Sequence, residues 1–324
     1  MTKLSTFSRG ALAYCLLLPV MACGTRGTER NASGSPTLQT QQTSNAARQT
    51  DHAVEIPKIV PEKDENPPAP TSASSPAAPE VPQAGSAGCG VPGEDLGLRS
   101  VTVRVGATPR SFLRVVNAQY DKNRKHALVI GYHGFGLDGN SPRVHHKWPL
   151  VEAMAGDEAI FIYPNALGGG WNASSGSSPD VLFFDEIVRA TSSLYCIDTN
   201  RVFVHGFSNG GFFVNGLASL RTQAVRAVIA VAGGGGGAKI PAMVIHGTSD
   251  PNVGYYFGQQ SISAYARANG CSANINFGAV KMGECQLISG CQQDYPAWFC
   301  PWTGTHHWPE FTLPTVWGFI SSFK

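Results

Sequence analysis

The stretch "RVFVHGFSNGG", residues 201–211, places Ser208 between Gly206 and Gly210. A serine hydroxyl is a weak nucleophile near neutral pH. It becomes a strong one when a base takes its proton and an acid holds that base in the right tautomer. The chain has 37 glycines in 324 residues, so a G-x-S-x-G string carries little weight alone and its flanks must decide. "RVFVH" reads as a strand and "GFFVNGLASL" as a helix. Ser208 therefore sits on a strand-to-helix turn, the setting of a nucleophile elbow. Glycines two residues either side suit such a turn, because a Cβ would clash where the backbones approach.

An acid and a base should follow, each on a loop after a strand, in the chain order Ser, Asp or Glu, His. Asp250 stands in "TSDPNV", directly after the apolar run "AMVIHG". The alternative for Asp250 is an Asx-turn ahead of Pro251. Every other histidine of the domain precedes Asp250, so the base is His306 or His307 in "TGTHHWPEF". A tetrahedral intermediate also needs two N–H groups aimed at its oxyanion. The residue after the nucleophile, Asn209, supplies one. The loop "GYHGFG", residues 131–136, supplies the other from Phe135, with Gly134 as the alternative. His133 reads as a residue that orders this loop. The chemistry needs no cofactor and no metal, and the histidine pair shows no third ligand.

These residues need a scaffold. "LRSVTVRV" and "SFLRVVNA" alternate around the turn signal Gly106-Ala107-Thr108-Pro109, as a hairpin does. "HALVIGY", "EAIFIYP", "RVFVHG", "AVIAVAG" and "AMVIHG" are short continuous apolar runs, as in strands buried on both faces of a parallel sheet. "AWFCPW" is an eighth strand. Helical patterns cover 180–195, 211–220 and 259–269, and "TVWGFISSF" closes the chain. The expected fold is α/β: a mainly parallel eight-stranded sheet with helices on both faces.

The rest of the chain sets the compartment. Lys3 and Arg9 precede an apolar stretch, residues 11–21, that is short for a membrane span. Residues 1–22 read as a signal peptide. "VMAC" resembles a bacterial lipobox, which would make Cys23 a lipidated residue; the alternative is simple cleavage after Ala22. With Gly24 next, resemblance to such lipoproteins implies an outer-membrane position. Residues 23–88 are rich in Pro, Ser, Ala, Thr and Gln and bury too little apolar surface to fold. They read as a disordered tether, spanning roughly 40–50 Å or more. The catalytic domain is 89–324. Its six cysteines, Cys89, Cys196, Cys271, Cys285, Cys291 and Cys300, suit three disulfides in an exported domain, with the pairing open. Net charge is +2, with no concentrated basic face for nucleic acid.

"GFSNGG", "HGTSDPNV", "GGGWN", "LYCIDTNRV" and "GTHHWP" together resemble the secreted feruloyl esterase and polyhydroxybutyrate depolymerase group, carbohydrate esterase family one, with an α/β-hydrolase fold. "AGCG" and "CQQDYPAWFC" resemble the feruloyl esterases in particular. The resemblance implies a serine esterase with nucleophile Ser208, acid Asp250 and base His306, the histidine two before the Trp. It also implies that Trp171 lines the site, the alternative being that it plugs a gap in the core, and Trp308 lies on a loop expected to ring the nucleophile. Thr305 stands where a glycine is usual, and the loop after "AVAGGGGGAK" is short. The expected substrate is a plant cell-wall ester with a flat aromatic acyl group. The alternatives are hydroxybutyrate polyester or oligomers, short acetyl esters, a peptidase on the same fold, and a non-catalytic binding module on a hydrolase scaffold.

Overall fold

The computed structural model describes residues 85–93, 95–278 and 285–324. The expected signal peptide, Cys23 and nearly all of the expected tether lie outside the described residues. The first bonds of the domain come slightly ahead of Cys89: Ser86 N–H donates to the Ile197 carbonyl and Gly88 N–H to that of Ser192.

Nine strands form one sheet in the order β1-β2-β4-β3-β5-β6-β7-β9-β8. The hairpin β1 (Gly97–Val105) and β2 (Thr108–Val116) is antiparallel and joins the sheet beside β4 (Ala159–Pro164). From β4 the sheet runs parallel through β3 (His126–Tyr132), β5 (Ile197–Phe207), β6 (Ala227–Val231), β7 (Ala242–Gly247) and β9 (Ala297–Trp302). The eight expected strands are all present. The ninth, β8 (Gln286–Leu287), is a two-residue antiparallel edge strand on β9, too short to leave a period in the sequence.

β3, β4, β6 and β7 are buried along their whole length, as strands covered on both faces must be. One face is packed by α3 (Pro179–Leu194), α4 (Asn209–Leu220) and α5 (Tyr255–Ala268), through Val181, Phe184 and Ile187, Phe213 and Leu217, and Ile262 and Tyr265. The other is packed by α2 (Trp148–Ala155) and α6 (Leu313–Ser321), through Trp148, Val151, Val316 and Ile320. α2 and the one-turn α1 (Ser141–His145) lie in a proline- and histidine-bearing stretch with no clear helical period.

Three disulfides close the domain: Cys89–Cys196, Cys271–Cys291 and Cys285–Cys300. The first ties the start of the domain to the end of α3 across a separation of 107 residues, where the restriction on the unfolded chain is largest. Such a framework fits an oxidising compartment.

Candidate active site

β5 ends at Phe207 and α4 begins at Asn209, so the whole reversal falls on Ser208. Its backbone has φ 56° and ψ −119°, a conformation that costs a residue with a Cβ on the order of 1–3 kcal/mol. The surroundings hold it there. Ser208 N–H donates to the Val231 carbonyl at 2.9 Å, and its own carbonyl accepts the Phe212 N–H at 3.0 Å. The flanking glycines are sterically required: a Cβ on Gly206 would sit 2.1 Å from the Gly210 oxygen, and one on Gly210 2.3 Å from the Tyr132 oxygen.

Asp250 and His306 come from the loops after β7 and β9. These loops are joined: Thr248 N–H donates to the Trp302 carbonyl at 2.8 Å and Ser249 N–H to that of Gly304 at 2.9 Å. His306 Nδ1–H donates to Asp250 Oδ2 at 2.7 Å, and Ser208 Oγ–H donates to His306 Nε2 at 2.9 Å. The carboxylate thus fixes the tautomer that leaves Nε2 free to accept a proton. The Asx-turn is also present, on the other oxygen: Asp250 Oδ1 accepts the N–H groups of Asn252 at 2.9 Å and Val253 at 2.8 Å. Burial alone would raise the Asp250 carboxyl. The hydrogen bonds from His306, Val253 and Asn252 outweigh it and hold the pKa below the ordinary carboxylate value. His307 points elsewhere. It is exposed and meets Trp302 edge-on, with ring centroids 4.5 Å apart.

The loop after β3 lies over Ser208: a Cβ on Gly134 would be 3.5 Å from Ser208 Cβ. Gly136 N–H donates to the Gly169 carbonyl at 2.7 Å and Leu137 N–H to that of Gly134, while among the described residues the Phe135 N–H has no acceptor. His133 orders the loop, as its position suggests. Its Nδ1–H donates to the Gly134 carbonyl at 2.7 Å, and its Nε2 accepts the Ala166 N–H at 3.2 Å. Asn209 is fixed from its side chain, whose Oδ1 accepts the Trp171 N–H at 2.7 Å.

Trp171 and Trp308, the two tryptophans expected to contact substrate, are both buried. Trp171 is 6% exposed; its indole N–H donates to the His133 carbonyl at 3.0 Å and its ring packs on Tyr132 and Phe213. It braces the loop after β3. Trp308 is 4% exposed, donates to Thr312 Oγ1 at 3.1 Å and packs on Trp148 and His146. Phe135, within the loop after β3, is 72% exposed.

Sequence reasoning missed a buried support behind Trp171. Arg110 of β2 donates to Asp180 Oδ1 at 2.8 Å and lies over the Phe183 ring, and Asp180 Oδ2 accepts the Asn172 N–H at 2.9 Å. It also missed a stack of rings behind Ser208 and His306. His205 lies flat on Trp148 at 3.5 Å, and His146 packs on Phe207, whose ring is 4.8 Å from that of His306. Burial, helped by His145 and His307, lowers His146 to about 3, and burial also pushes His205 well below its ordinary value. Both are neutral when folded, whereas an unfolded histidine protonates below about 6.5. Acid therefore favours the unfolded chain. Stability is full above about pH 6.5 and falls by about 1.4 kcal/mol per pH unit for each such histidine, continuing for His146 down to about pH 3. In thermal unfolding, Tm should fall steadily from pH 7 to pH 4, and His146→Leu should fall less steeply. Parallel curves would rule His146 out as a contributor.

No family model matches the chain. Over 216 residues it is 31% identical to feruloyl esterase C of Emericella nidulans, covering 61% of this chain and 76% of that protein. Over 265 residues it is 28% identical to feruloyl esterase D of Neurospora crassa, covering 74% and 91%. Among solved structures, the acetyl xylan esterase from Aspergillus awamori matches with a TM-score of 0.54 at 16% identity, over 69% of this chain and 99% of that one. The structural likeness speaks for the fold and the sequence matches for the kind of protein: the chain belongs to the feruloyl esterase group of carbohydrate esterases, on the α/β-hydrolase fold, and is a carboxylic ester hydrolase.

Proposed function

We propose that this protein hydrolyses esters of a flat aromatic acid, such as ferulate on a plant cell-wall polysaccharide, with Ser208 as nucleophile, His306 as base and Asp250 as acid. The hydrogen-bonded chain from Ser208 Oγ through His306 to Asp250 is the observation that carries the reading. Ser208 Oγ attacks the ester carbonyl carbon as its proton passes to His306 Nε2. The carbonyl oxygen becomes an oxyanion facing the N–H groups of Asn209 and Phe135. As the intermediate collapses, the C–O bond to the alcohol breaks and His306 gives its proton to the departing oxygen. Water then attacks the acyl-enzyme by the same route, releasing the acid and restoring Ser208.

The aromatic acyl group is supported by the names of the relatives and by the exposed Phe135 ring, which rests against Gly170 beside the proposed oxyanion donors. A flat ring stacks on such a face, while an aliphatic chain gains only area. For the cell context, the signal peptide 1–22 and the sequence around Cys23 support export and a lipid anchor in the outer membrane. Residues 23–88 then tether the enzyme within reach of a solid polymer.

The test compares kcat/KM for methyl ferulate with that for a hydroxybutyrate trimer and for a p-nitrophenyl acetate control. Methyl ferulate should exceed the trimer by at least tenfold, about 1.4 kcal/mol of transition-state preference. A trimer preferred by that margin would replace the aromatic acyl reading with the polyester one.

A further inference from the structure

The acid loop continues past Asp250 and Val253 into α5, whose first turn carries Tyr256 and Phe257, 61% and 42% exposed. Phe257 meets Phe212 edge to face, with centroids 5.7 Å apart. Phe212 stands one helical turn after Ser208. Backbone from the shortened loop after β6 runs directly against this pair. A Cβ on Gly234 would fall 2.7 Å from the Phe212 ring and 2.8 Å from the Phe257 ring. Beside Tyr256, a groove of about 510 Å³ lies between residues 235–236 and α5, lined also by Gln259, Gln260, Ser263, Arg267 and Phe277. Gln260 Nε2 donates to the Tyr256 hydroxyl at 2.5 Å.

Three exposed rings in a row, beginning one turn from the nucleophile, mark a contact surface. The groove beside them says what kind. Two carboxamides and a hydroxyl offer both donors and acceptors, and Arg267 offers donors. A polyester chain presents acceptors alone and would leave the carboxamide oxygens unmatched. A sugar ring presents an apolar C–H face for the aromatics and hydroxyls that both donate and accept.

The groove's mixed donors and acceptors match the sugar half of the ester better than its flat aromatic half. The departing alcohol oxygen takes its proton from His306, so the alcohol must lie on the His306–Asp250 side. The carbonyl oxygen faces Phe135 and Asn209 on the other. The acid loop leads directly into α5. We propose that the Phe212–Phe257–Tyr256 surface and the groove along α5 bind sugar residues of the alcohol half of the ester. This rests on the reading of the active site above and adds to it a carbohydrate subsite for the leaving group.

Phe257→Ala, Tyr256→Ala and Gln260→Ala are compared with the unmodified protein on a feruloylated xylo-oligosaccharide and on methyl ferulate, whose alcohol carries no sugar. The ratio of kcat/KM values, oligosaccharide over methyl ester, should fall about tenfold in Phe257→Ala, about 1.4 kcal/mol of binding to the sugar. An unchanged ratio, or equal loss on both substrates, overturns the subsite. A second arm does not depend on ferulate. The Ser208→Ala protein is titrated calorimetrically with unesterified xylo-oligosaccharide and with a hydroxybutyrate oligomer. Binding of the oligosaccharide, weakened by a further Phe257→Ala change, supports the subsite. Binding of the hydroxybutyrate oligomer in its place assigns the surface to polyester and overturns it. Should the unmodified protein fail on methyl ferulate, the acyl reading falls while this arm still decides the groove.

Discussion

Ser208→Ala and His306→Ala should each reduce ester turnover by roughly 10⁴–10⁶, whereas His307→Ala should change it by less than about threefold. The two histidines are neighbours, and geometry separates them. The His306 ring bridges Ser208 Oγ at 2.9 Å and Asp250 Oδ2 at 2.7 Å. The His307 ring packs on Trp302 and faces solvent. In the proposed mechanism Ser208 and His306 share one proton transfer, so the double variant should be about as inactive as each single one. Steady-state rates on p-nitrophenyl acetate give the numbers. A fluorophosphonate probe checks the nucleophile separately: the unmodified and His307→Ala proteins should be labelled, Ser208→Ala should not. An inactive His307→Ala with an active His306→Ala would move the base by one residue and undo the assignment. A protein the probe does not label would return the scaffold to the non-catalytic binding alternative.

Legibility in the sequence followed from how locally each feature is determined. The central strands show because a strand covered on both faces must be apolar throughout, as "AVIAV" and "AMVIHG" are. The turn at Ser208 shows because Gly206 answers a clash with Gly210 four residues along, although Gly210 itself is required by the distant Tyr132 carbonyl. α2 stayed hidden. Its apolar residues Trp148, Val151 and Ala155 lie among prolines, histidines and charges that mask the period. The direction of a loop aromatic was hidden as well. Phe135, Trp171 and Trp308 look alike in the sequence, all aromatic and all beside glycine or proline. One is solvent-facing and two are buried, because Trp171 is turned inward by the His133 carbonyl and Trp308 by Thr312, partners set by the tertiary fold. The disulfide pairing was open for the same reason. The rings of Phe212 and Phe257 come together only when α4 and α5 pack on the same face of the sheet, and nothing within either helix announces the other.

Asp250→Asn should lower turnover by about 10⁴ while leaving the fold nearly intact. The two oxygens of Asp250 have separate work. Oδ1 accepts the N–H groups of Asn252 and Val253 and shapes the loop, and Oδ2 accepts from His306. Asparagine keeps a carbonyl oxygen for the first task, so the turn, and the link from Ser249 N–H to the Gly304 carbonyl, should survive. For the second task it offers an N–H where an acceptor stood. His306 then places its lone pair at Nδ1 to meet that N–H and its proton at Nε2, facing Ser208. In that tautomer the ring cannot take the serine proton, although every atom is close to its former place. Asp250→Ala loses both functions and should be inactive and also less stable, since the Asn252 and Val253 N–H groups lose their acceptor, about 1–3 kcal/mol for each one left buried. The pair of variants separates a catalytic from a structural role. Thermal unfolding should give Asp250→Asn a Tm close to the unmodified value and Asp250→Ala a clearly lower one, with both far slower on p-nitrophenyl acetate. An Asp250→Asn protein within tenfold of full activity would mean that His306 does not need the carboxylate to hold its tautomer, and the acid would have to be sought elsewhere.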